Sequence, residues 1–222
     1  TTAREIDVNH PISIAATIYL SVIGAAVFIV QPGFVQGLVT LLGFDEQQAG
    51  YVASIEVWGI AFTCVFLAMG GHRFSWKGIL SFSIILFFVG NIFSVFTSQI
   101  TSFSLLRFVT GVGAGGLVGL TFTIIGLTRF ADRNFGYLIM AVLTYGALGL
   151  WAMPMLFDLI GLDGVLLLFA LFGASGGWCL KWIPNSGQEH LQVEADAIDL
   201  GRVSRIVAVV AMFTYFFAQG VI

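Results

Sequence analysis

Two charged residues stand inside apolar stretches long enough to cross a bilayer: Glu56 in YVASIEVWGIAF and Arg107 in LLRFVTGVGAGGLVGL. An unpaired charge at the bilayer centre costs at least about 2.5–3.5 kcal/mol, so each must find a partner or a wet cavity. The helical rise puts Glu56 about 13 Å past Gln47 and Arg107 about 9 Å past Thr101. Both stretches run in the same direction through the bilayer, so the two charges lie at similar depth. Desolvation favours the protonated carboxyl group and a neighbouring guanidinium favours the ionised one. That opposition is the basis of a carboxylate that binds and releases a proton, and it makes Glu56 and Arg107 the candidate proton-coupling or transport residues. They are expected to approach each other or to share a water-filled cavity. A purely structural ion pair, or two charges satisfied separately by carbonyls or solvent, are the alternatives.

Glycine weakens a helix, yet Gly111, Gly115 and Gly119 follow Arg107 at intervals of four. This spacing puts all four residues on one stripe, where the glycines let a neighbouring backbone approach closely. The arginine on that stripe should then face protein or a cavity rather than lipid. Further polar residues within spans are candidates for lining a substrate path: Gln31 and Gln36 around Pro32-Gly33, Asn91, and Tyr145. Interhelical hydrogen bonding is the competing role for each. Pro32-Gly33 should also break or kink the first span.

The elements that position these residues follow from composition. Of 222 residues, 58% are hydrophobic and 9% charged, with a mean hydropathy of +0.99. Soluble domains carry about 25% charged residues, so the chain reads as an all-α integral membrane protein. Six runs reach spanning length, roughly 12–33, 48–70, 78–97, 102–127, 136–157 and 163–183. They form a six-helix transmembrane bundle over 1–183. A hydrophilic linker fills 184–205, and 206–222 begins a seventh span that has no polar flank and so looks truncated.

Nine residues are basic, and all but Arg107 fall on one side of this layout. The positive-inside rule then places the N-terminus and the 184–205 linker in the cytoplasm, with the bundle in the inner or plasma membrane. Cys64 and Cys179 lie in apolar runs and read as small packing residues. No metal-ligand spacing, nucleotide loop, nucleophile motif or cofactor motif is present, so neither an enzyme nor a bound cofactor or metal is expected. A net charge of −3 without a basic patch argues against a nucleic-acid partner.

The segment RFVTGVGAG resembles the arginine- and glycine-rich fourth span of the major facilitator superfamily. QPGFVQGLVTLLGFDEQQAGYVASIEVWGIAF resembles that family's passage from span one to span two. AMGGHRFSWK, residues 68–77, matches its cytoplasmic loop after span two, with His72 where an aspartate is usual and Ser75 in place of a glycine. Gly146, Gly149 and Pro154 do not keep the spacing of the family's antiporter signature.

The resemblance implies a secondary transporter of a small-molecule substrate working by alternating access. It implies two three-helix inverted repeats within each bundle. His72, Arg73 and Lys77 would form a conformational-switch loop. The partners would be the lipid bilayer and a second six-helix bundle, either a missing C-terminal half or a second copy. A non-transporting six-helix subunit or scaffold of a larger complex is the alternative, favoured by the altered loop and opposed by two retained intramembrane charges.

Overall fold

His10 opens the first helix. Its Nδ1 accepts from the Ile12 N–H at 3.3 Å, and Pro11 supplies a preset φ with no N–H to orphan. The helix, α1, runs Pro11–Ile29 and stops at Val30 (φ −100°, ψ 15°), where α2, Gln31–Leu42, starts at once. Pro32 has no N–H to give and crowds the carbonyl one turn back, so the chain breaks there. The expected kink is present, but the first span continues to Leu42 instead of ending near residue 33. Gly43 ends α2 in the left-handed region (φ 69°), its N–H donating to the Leu38 carbonyl.

Asp45 and Gln48 then build a reciprocal cap. The Gln48 N–H donates to Asp45 Oδ1 at 2.7 Å, and the Asp45 N–H donates to Gln48 Oε1 at 3.2 Å. This cap starts α3, Glu46–Gly70. Ser75 caps α4, Trp76–Ser94, through Oγ and the Gly78 N–H, and α5 follows at Ile100–Gly126. The next helix, α6, spans Ala131–Ser175, and a 3₁₀ segment, Gly176–Trp182, ends the bundle.

The computed structural model describes residues 7–70 and 74–185, all within one compact unit, Thr1–Ser186. His72, Arg73, residues 186–205 of the linker and the 206–222 run lie outside the described residues. The six expected spans correspond to α1 with α2, then α3, α4, α5 and the two halves of α6. The expected loop between the last two is reduced to one break, at Gly161 (φ 67°, ψ −176°), a conformation that favours glycine. The halves fold back on each other, with Tyr145 stacked on Phe172 at 5.6 Å and 15°.

At the centre stands α5, the most buried span, packed against α1, α3 and α4. Glycines permit this crowding. A Cβ at Gly115 would lie 2.6 Å from the Ile60 carbonyl of α3, and one at Gly111 would strike the Glu56 backbone. Gly113 turns the other way, where a Cβ would lie 2.6 Å from both Phe87 N and Ser83 O of α4. Membrane helices that approach this closely gain packing and weak backbone contacts that larger residues forbid.

The periphery is apolar and aromatic: Trp58 is 70% exposed, Trp151 72% and Leu159 79%. Water does not tolerate such a surface and hydrocarbon does, so this is a multi-pass integral membrane protein. One end carries the described cations other than Arg107. There the Arg129 N–H donates to Asn9 Oδ1 at 2.6 Å, and the Trp76 N–H donates to the Asn185 carbonyl at 2.9 Å. Lys181 sits 4.2 Å from the Trp182 ring centroid and Arg133 4.8 Å from that of Phe130.

Candidate functional site

Arg107 has no exposed surface. Its side chain turns to the last turn of α4: Nη1 donates to Asn91 Oδ1 at 3.1 Å, and Nη2 donates to the Gly90 carbonyl at 3.1 Å and to Ser94 Oγ at 2.7 Å. Asn91 is locked in the orientation this needs, because its Nδ2 donates to the Phe87 carbonyl at 2.8 Å and leaves Oδ1 for the guanidinium. Ser94 Oγ also donates to the Gly90 carbonyl at 2.7 Å. The cation thus meets the carbonyl end of α4, where the helix dipole favours positive charge. Two rings flank the guanidinium: Phe34 of α2 at 5.7 Å and Phe103 of α5 at 5.6 Å. One side chain therefore ties α2, α4 and α5 together, and only Nε is left without a partner among the described residues.

Glu56 is on α3 and is 3% exposed. Its backbone touches Gly111, one turn beyond Arg107 and so displaced by about 6 Å along α5. The two charges are neighbours in depth, about one turn of α5 apart. They do not form an ion pair, because the Arg107 fork is occupied by α4. Among the described residues the Glu56 carboxylate accepts no hydrogen bond.

The crossing between α3 and α5 holds Glu56 firmly. Gly59 lets α3 meet Phe108 and Val112, Thr63 Oγ1 donates to the Val112 carbonyl at 3.1 Å, and Cys64 Sγ lies 3.7 Å from the Gly115 carbonyl. Gly119 makes only ordinary contact, with Leu67 at 3.4 Å and Cys64 at 3.5 Å.

The remaining candidates are scattered. Tyr145, with Val30, Met153, Phe169 and Phe172, lines a cavity of ≈ 340 Å³ beside the break in span one. On α2, Gln31 is half-buried and Gln36 exposed, and Lys77 is half-buried in the first turn of α4. Asn91 is buried in the arginine cluster and lines neither of the two cavities described. Sequence reasoning missed Ser94, Gly90 and the second glycine face, Gly113 and Gly116. The spacing of Gly90, Asn91 and Ser94 on one helix face was the available signal.

A central arginine helix, glycine-tight crossings and an interrupted first span in a six-helix array define the class. The chain has the fold of major facilitator superfamily transporters. Among solved structures it superposes on the inward-open conformation of the xylose transporter XylE from E. coli, with a TM-score of 0.67 at 15% sequence identity. The match covers 93% of this chain and 55% of that one, so the chain spans about half the length of XylE. No family model and no curated protein matches it.

Proposed function

We propose that the chain is one bundle of a secondary transporter that moves a small solute by alternating access, with Glu56 taking up and releasing the coupling proton. The observation that carries this reading is the state of Glu56: 3% exposed, without a hydrogen-bond or ion-pair partner among the described residues, and wedged against the helix that bears Arg107. A structural carboxylate at that depth would be paired, since an unpaired buried charge is costly and a proton is what relieves it. Arg107 is a fixed charge beside it, held by α4 and therefore not consumed by the carboxylate.

The solute path lies on the face of the bundle turned to a second six-helix bundle, supplied by further chain or by a second copy. Gln31, Gln36 and Tyr145 are its candidate contacts, and His72, Arg73 and Lys77 form the connection that changes between the two states. In this reading the N-terminus and the 184–205 linker lie on the cytoplasmic side of the inner or plasma membrane, which the one-sided distribution of basic residues supports.

The test is uptake into proteoliposomes holding the full native protein, with a panel of radiolabelled small solutes beginning with xylose, under an imposed inward proton gradient. Glu56→Gln is expected to abolish gradient-driven accumulation while leaving solute exchange at zero gradient intact. Accumulation equal to wild type in Glu56→Gln overturns the coupling role. Loss of exchange as well would show that Glu56 holds the fold or binds solute instead.

A further inference from the structure

Hydroxyl groups inside a helix commonly satisfy themselves on the carbonyl one turn back. In α5 this happens three times: Thr110 donates to the Leu106 carbonyl at 2.9 Å, Thr121 to Leu117 at 2.7 Å and Thr123 to Gly119 at 2.9 Å. Ser104 departs from the habit. It is 4% exposed and Ile100 lies one turn back, yet its Oγ has no partner among the described residues. One turn further along α5, Arg107 Nε is in the same condition at zero exposure. Residues three apart share a helix face, so two unpartnered polar atoms belong to one face of α5 where bulk water does not reach.

The helix opposite is small-sided at this level. Glu56 meets Gly111 and Ile60 meets Gly115, so α3 and α5 run in the same direction. Counting back along both brings Ala53 and Ala49 level with Arg107 and Ser104, and both alanines are buried, at 7% and 0%. Phe44, just before α3, packs on Phe103 at 6.0 Å, which agrees with that register. Small side chains beside two unsatisfied polar atoms are what one enclosed water molecule requires. Helical side chains lean toward the N-terminus of their helix, so the Glu56 carboxyl group leans from Gly111 back toward this level. On the other side Thr101, one turn before Ser104, is exposed at the end of α5 away from the clustered cations.

We propose that Ser104 Oγ and Arg107 Nε hold an enclosed water molecule, and that this water passes protons between the Thr101 end of α5 and Glu56. The Nε–H donates to the water oxygen, and the serine hydroxyl fixes its orientation. A proton taken up by the water on the Thr101 side is matched by one leaving it for the carboxylate. The water ends as it began, Glu56 ends neutral, and release runs in reverse. Arg107 gives up no proton, and Ser104 is a positioning residue. The relay rests on Glu56 being the coupling carboxylate; the water site does not.

The test uses the full native protein in lipid nanodiscs. Ser104→Ala removes the hydroxyl and keeps the helix. Loss of an idle hydroxyl would leave the apparent Tm unchanged or raise it, because alanine is the better helix former. Loss of a water's partner is expected to lower it. A second readout is the infrared C=O band of protonated Glu56, identified by its absence in Glu56→Gln. After transfer to heavy water, its deuteration in Ser104→Ala is expected to be at least about ten-fold slower than in the wild type. A merely loosened bundle would exchange faster. An unchanged or higher Tm overturns the water site. A lower Tm with deuteration at the wild-type rate or faster overturns the relay. If Glu56→Gln removes no band, the coupling carboxylate and the relay fail together, and the melt still decides the water site.

Discussion

Arg107 uses two of its three nitrogens on α4, and each acceptor it meets is fully buried or at a helix end. Removing one acceptor leaves a charged donor unsatisfied in a place water does not reach. Asn91→Ala is therefore expected to destabilise the bundle by about 1–3 kcal/mol, read as a lower apparent Tm in detergent. Arg107→Lys is expected to be at least as damaging, because a point-like ammonium cannot reproduce a planar fork spanning Asn91, Gly90 and Ser94. An unchanged Tm in Asn91→Ala would show that the cluster is incidental to stability. The sequence reveals both intramembrane charges, since depth and cost follow from counting residues along an apolar run. It does not reveal that the arginine turns to α4 rather than to Glu56. An asparagine and a serine inside a span look like any other interhelical hydrogen-bonding residues until the helix faces are known.

At the scale of elements, helix contacts depend on which glycines have another backbone above them. A Cβ at Gly113 would press on the backbone of α4, which has no flexible end to move aside, whereas nothing lies within 4 Å of the position a Cβ would take at Gly136 on α6. Gly113→Ala is expected to lower the apparent Tm. Gly136→Ala is expected to leave it unchanged or raise stability by up to about 0.5–1 kcal/mol through helix propensity. Opposite signs in a thermal melt of the two variants confirm the packing, and equal losses would contradict it. Span positions were legible because hydrocarbon thickness sets a length that composition displays. The interruption at Val30 was legible too, from Pro32. The single-residue break at Gly161 was not, because one glycine among twenty-seven carries no mark of its φ. The four-residue stripe showed one packed face of α5. The opposite face, Gly113 and Gly116, is spaced by three and was hidden by it.

For the whole molecule, the proposed transporter needs a second bundle across from this one. Crosslinking the native protein in its own membranes, followed by intact mass, is expected to give a covalent species about twice the 23.9 kDa of this chain, or a crosslinked pair of such chains. A lone 23.9 kDa species that still moves solute would overturn the two-bundle arrangement. The arginine cluster also bears on how the molecule is made. All three acceptors of Arg107 belong to the preceding span, 13 to 17 residues earlier in the chain. By the time the ribosome delivers the arginine, its partners have already been synthesised. A charge that would be expensive alone in lipid enters as one arm of a hairpin, and its insertion waits on nothing downstream.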